Sequence, residues 1–77
     1  MSTVQSAQQV LDRHYLELRC DLLDLAAALD RVERSDGAAT ATGDPRFALI
    51  ENGIRILLQR GAGRAEAIQM LFSDPYP

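Results

Sequence analysis

The sequence predicts an all-α fold: one long N-terminal helix followed by a two-helix hairpin, assembled as a helical-bundle dimer. Two observations predict the helices. Apolar residues recur at spacings of three and four in both halves of the chain. Most glycines lie between these segments, and the prolines lie at the start of the second segment or after the last one. A third observation predicts the dimer, because the first helix is too long for a chain of 77 residues to cover.

The first helix is predicted from about residue 3 to 34, a segment without glycine or proline. Ser2, with Gln5 three residues later, has the spacing of a capping box, which indicates where the helix begins. The apolar residues of this segment form a main stripe at helical spacing. The main stripe consists of Val4, Ala7, Leu11, Leu18, Leu22, Leu25, Leu29 and Val32.

Residues 35–43 are all small, being alanine, glycine, serine, threonine and aspartate, and they predict a flexible loop. The second helix is predicted from about residue 45 to 60, because Asp44 is a suitable N-cap and Pro45 suits the first helical position. Gly53 lies on the apolar face of this helix and indicates close approach of another backbone.

The third helix is predicted from about residue 64 to 72, after a turn that contains Gly61 and Gly63. Residues 73–77 contain two prolines and are predicted to be an extended tail. Helices two and three therefore form a hairpin within one helical domain that spans residues 1–77.

The first helix also has a second apolar stripe, roughly opposite the main one, formed by Leu16, Cys20, Leu23 and Ala27. We expect Cys20 to be a buried, inert thiol on this stripe. A helix of ~32 residues is ~48 Å long, whereas a globule of this size is only ~30 Å across. We therefore expect a homodimer, most simply with the two long helices antiparallel. The expected interface residues are Leu11, Leu18, Leu22, Leu25, Leu16 and Leu23.

A cluster of four polar residues, His14, Glu17, Asp21 and Asp24, interrupts the apolar half of the first helix. All four lie along one edge of the main stripe, and their carboxylates repel one another unless something neutralises them. The simpler hypothesis is that arginines do so and thereby set the dimer register. The candidates are Arg13, Arg31, Arg46, Arg55 and Arg64.

The alternative hypothesis is a metal site for iron, manganese or zinc, with His14, Glu17, Asp21 and Asp24 as ligands from both copies of a dimer. Such an assembly would resemble a minimal ferritin-like bundle in architecture. The chain has His-x-x-Glu, however, where di-metal bundles use Glu-x-x-His, and it contains a single histidine.

Other function classes find little support in the sequence. No phosphate-binding loop or nucleophile motif is present. The net charge of −3 disfavours nucleic acid, and no segment is apolar enough to cross a membrane. With one cysteine and no signal peptide, we expect a cytoplasmic protein. The sequence predicts a non-enzymatic helical interaction module that self-associates and whose hairpin or tail contacts a larger protein.

Overall fold

The computed structural model describes residues 4–73, and in this range it is entirely α-helical with connecting turns. It contains four helices: α1 (Ala7–Arg34), α2 (Ala38–Thr42), α3 (Pro45–Leu57) and α4 (Arg64–Leu71). The chain divides into two compact units, Met1–Ser35 and Asp36–Pro77. The predicted all-α class is confirmed, with one more helix than expected.

Helix α1 begins at Ala7, so the predicted start near residue 3 is wrong. Ser6 is the N-cap: its Oγ accepts a hydrogen bond from the Gln9 N–H at 3.1 Å, and Gln9 Oε1 accepts one from the Ser6 N–H at 2.9 Å. The same Ser-x-x-Gln spacing occurs at Ser2 and at Ser6, and the structure uses the later copy. Ser2 itself lies outside the described residues.

The C-terminus of α1 agrees with its prediction, since the helix ends at Arg34. Ser35 caps it: the Ser35 hydroxyl donates to the carbonyl of Arg31 at 2.6 Å, and its N–H donates to the carbonyl of Val32 at 3.3 Å. Two carbonyls that lack a partner within the helix are thereby satisfied.

The predicted loop at 35–43 is corrected by the structure, because Ala38–Thr42 forms helix α2. Gly37, with φ of 79°, reverses the chain before it, a conformation that glycine adopts without steric cost. Alanine has the highest helix propensity of the amino acids, and three of the five α2 residues are alanine. The helix propensity of the three alanines outweighs the flexibility that the other small residues of the segment favour.

Helix α3 begins at Pro45 as predicted but ends at Leu57, before the predicted boundary near residue 60. The next two N–H groups, of Leu58 and Gln59, bond to carbonyls three residues back and tighten the last turn. Gly61 and Gly63 then adopt φ angles of 99° and 111°, which reverse the chain into α4.

The second unit is held by contacts of α3 with both α2 and α4. Among residues 4–73, Gly53 of α3 is the only fully buried residue. Its nearest neighbours are side chains of Leu71 and Phe72, and no other backbone approaches it closely, so the expected backbone approach is wrong. The residues around it are half-buried and apolar. They include Phe47, Ile50, Ile54, Ala67 and Ile68.

Candidate functional site

The main stripe of α1 is largely uncovered in the single chain. Leu11, Leu18 and Leu22 are 47%, 50% and 64% exposed, whereas Leu25 further along the helix is half-buried. No residue of α1 is fully buried. We call Leu11, Leu18 and Leu22, with Tyr15 between them, the leucine surface. Apolar surface of this extent on one helix face is typical of a protein contact site.

The second stripe of α1 is also exposed. Leu16 is 66% and Leu23 is 53% exposed. Cys20 between them is a free, exposed thiol, so the expectation that it is buried is wrong for the single chain. Leucines on two faces of one helix leave two apolar surfaces of α1 in contact with solvent.

The polar cluster shows one close contact. The Nδ1 atom of His14 lies 3.4 Å from Oε1 of Glu17, one helical turn away, and both side chains are substantially exposed. Within the part of the chain that the structure describes, no three His, Cys, Asp or Glu residues lie close enough together to hold a metal ion. Asp21 and Asp24 therefore do not complete a set of ligands with His14 and Glu17 in one copy. A site shared between two copies stays a prediction.

Among the described residues of the single chain, no arginine neutralises the polar cluster either. Between residues 4 and 35, no arginine forms an ion pair with Glu17, Asp21 or Asp24, and the arginine pair seen there joins Arg34 to Asp30 at 3.8 Å. The three candidate arginines of the hairpin all have local partners. Arg46 pairs with Asp44, Arg55 donates to the Asn52 side chain, and Arg64 donates to the carbonyl of Gln59. Among the described residues the cluster therefore has no arginine partner, and all four of its residues are exposed to solvent.

Arg46 is predicted as a candidate partner for the polar cluster, but the structure pairs it with Asp44, which the sequence pattern does not indicate. Asp44 accepts hydrogen bonds from the Arg46 backbone N–H at 2.8 Å and from two guanidinium nitrogens at 3.0 and 3.1 Å. The guanidinium and then the backbone N–H lower the pKa of Asp44 below its ordinary value of 3.8. The same carboxylate raises the pKa of Arg46. This pair stabilises the start of α3 and carries out no chemistry.

Comparisons with models of known protein families, with curated proteins and with solved structures found no match. A search of the described residues for a helix able to cross a membrane, judged by length and apolarity, found none.

Proposed function

We propose that this chain is a small non-enzymatic helical module whose function is to self-associate as a homodimer through packing of α1 against a second copy. The observation that carries the proposal is the exposure of Leu11, Leu18 and Leu22 along one face of a 28-residue helix. Burial of a leucine side chain contributes roughly 1.5–3 kcal/mol. A second copy of α1 offers an apolar face of the same length and composition.

The length of α1 supports the same proposal. Its 28 residues extend about 42 Å. Since Leu16 and Leu23 on the opposite stripe are exposed as well, contact with one copy along the main stripe leaves a second apolar surface. This surface would serve a larger assembly or a second partner. Contact of the hairpin or tail with a larger protein stays a prediction of the sequence.

A charged residue in the leucine surface tests the proposal. Leu18→Asp would place a carboxylate in the middle of the interface, where its desolvation strongly opposes association. The matched control is Leu58→Asp in the second unit, because Leu58 is 78% exposed and lies outside the proposed interface. Size-exclusion chromatography with light scattering gives the mass of each protein.

We expect the unmodified chain and Leu58→Asp to elute as dimers and Leu18→Asp as a folded or partly folded monomer. Circular dichroism distinguishes loss of association from loss of helix. If Leu18→Asp stays dimeric at the same concentration, the leucine surface is not the interface and the proposal is wrong. Leu23→Asp tests the second stripe in the same way: it should disrupt whichever contact covers that side of α1.

A further inference from the structure

Helix α1 contains an unbroken heptad pattern. Its apolar residues alternate between spacings of four and three, which places them along a single seam of a continuous helix. The seam runs through Leu11, Tyr15, Leu18, Leu22, Leu25, Leu29 and Val32. Tyr15, Leu22 and Leu29 are the a positions of the heptads, and the remaining four are the d positions. This pattern is typical of helices that pack lengthwise against another helix.

The residues that flank the seam determine how two copies can pair. The position before each a residue is g, and the position after each d residue is e. In an antiparallel pair the g residues of both helices lie along one side of the seam and the e residues along the other. Charged residues occupy these positions mainly in the first half of α1: Asp12 and Arg19 at e, and His14 and Asp21 at g.

One antiparallel register makes all of these flanking contacts favourable. When Leu11 of one copy packs level with Leu22 of the other, Tyr15 packs level with Leu18. Asp12 then lies beside Arg19 of the second copy. On the opposite side of the seam, His14 lies beside Asp21 of the second copy, where the imidazole can donate a hydrogen bond to the carboxylate. The twofold axis repeats each contact, so the dimer gains four complementary pairs.

The other arrangements lack this complementarity. If the antiparallel pairing moves by one heptad toward the C-termini of the helices, Arg19 lies beside Arg19 and Asp21 beside Asp21 of the second copy. If the pairing moves by one heptad toward the N-termini, Asp12 lies beside Asp12 of the second copy. A parallel dimer in register places His14 beside Arg19 and forms no acid–base pair. Like charges beside the seam oppose association, so they select against these registers.

The exposure of the seam agrees with the favourable register. In that register the helices overlap over residues 7–26 and the axis passes between Leu16 and Glu17. Within the overlap, Leu11, Leu18 and Leu22 are exposed in the single chain. The seam residues beyond it, Leu29 and Val32, are already half-buried. Leu25, near the end of the overlap, is half-buried too, so the exposed leucines of the seam all lie in the part that the second copy would cover.

We infer that two copies of the chain pair through residues 7–26 of α1 in this antiparallel register, specified by contacts of Asp12 with Arg19 and of His14 with Asp21 between copies. This inference rests on the proposed self-association and adds its orientation and register. It also gives the polar cluster a role, since Asp21 receives a partner from the second copy and no metal ion is needed to neutralise it.

Disulfide cross-linking tests the register directly. In a Cys20→Ser background, Leu11→Cys/Leu22→Cys should form a covalent dimer on oxidation, because the two positions are level between copies. They cannot join within one continuous helix, where 11 residues separate them by about 16 Å. Single Leu11→Cys and Leu22→Cys proteins are the controls and should stay uncrosslinked. The pair Leu11→Cys/Leu29→Cys reports the register shifted by one heptad.

Cross-linking of both single-cysteine proteins would show a parallel dimer, and cross-linking of Leu11→Cys/Leu29→Cys alone would show the shifted register. Either result overturns the inference while leaving the proposed self-association intact. If the unmodified chain is monomeric by sedimentation, the proposed function itself fails.

Charge reversal gives a second measurement that does not alter the apolar seam. Arg19→Asp places two repulsive contacts with Asp12 in the dimer, and we expect the dimer dissociation constant to rise about tenfold. Asp12→Arg should weaken it similarly, and Asp12→Arg/Arg19→Asp should restore it to near the original value. If the double variant is as weak as the single variants, the two residues are not partners and the register is wrong.

Discussion

Leu71 of α4 packs over Gly53 of α3: its Cδ2 atom is 3.8 Å from the position that a Cβ atom at Gly53 would take. The Cε2 atom of Phe72 lies at the same distance. This separation is ordinary van der Waals contact, so the hairpin has space for one methyl group at Gly53 and little more. The only fully buried residue among those described is thus a glycine that packs side chains from the next helix.

Gly53→Ala should stabilise the protein. The substitution fits the available space, and alanine favours the interior of a helix over glycine by roughly 0.5–1 kcal/mol. The thermal unfolding midpoint should rise by a few degrees. Gly61→Ala is the matched control: no atom would crowd its Cβ, but its φ of 99° is unfavourable for alanine, so the midpoint should fall. A lower midpoint for Gly53→Ala would show that Leu71 and Phe72 cannot adjust.

Ser6→Ala should weaken the start of α1. It removes the hydroxyl that accepts from the Gln9 N–H, and loss of an N-cap side chain costs about 1 kcal/mol. Hydrogen exchange of the first-turn amides should accelerate, Gln9 most of all. Ser2→Ala is the control, since α1 begins at Ala7 and not near residue 3. Equal effects of the two substitutions would contradict the assignment of Ser6 as the cap.

Asp44 should make stability depend on pH in the acid range. Its pKa is lowered in the folded chain by Arg46, so the carboxylate contributes stability above the pKa of the unfolded chain. That contribution is lost as the pH falls through the lowered folded-state pKa. Urea unfolding of the original protein and of Asp44→Asn, each followed from pH 2 to 6 in about half-unit steps, measures this. The difference in the free energy of unfolding between the two proteins should shrink as the pH falls. A difference that does not change with pH would show that the Asp44–Arg46 contact is not its source.

Metal analysis separates the two hypotheses for the polar cluster. We expect protein dialysed against iron, manganese or zinc to retain far less than one tightly held ion per dimer, because His14 and Glu17 form the one close pair in the cluster. His14→Ala should leave the retained amount unchanged. Stoichiometric binding that His14→Ala abolishes would favour the metal site and would require a different account of Asp21.

Helix formation here depends on residues that are close together in the sequence. The sequence predicts most of the helices for that reason. Periodic leucines predict α1 and its end at Arg34, and Asp44 followed by Pro45 predicts the start of α3. The errors arise where two local signals compete. Ser2 and Ser6 both begin a Ser-x-x-Gln spacing, and periodicity cannot choose between them. The alanines of α2 favour a helix, whereas the glycines on either side favour a loop.

The candidate site was less predictable because burial depends on neighbours that sequence spacing does not specify. The two stripes of α1 identify its apolar residues, but they do not reveal which of them a single chain leaves exposed. The exposure of Cys20 and the local pairing of Arg46 with Asp44 are results of this kind. Both required the three-dimensional structure.

Sedimentation equilibrium of the unmodified 77-residue chain measures self-association without any substitution. We expect a species of twice the 8.5 kDa chain mass at micromolar concentration, in equilibrium with monomer on dilution. A single 8.5 kDa species throughout the micromolar range, with α1 still helical by circular dichroism, would contradict self-association through the leucine surface.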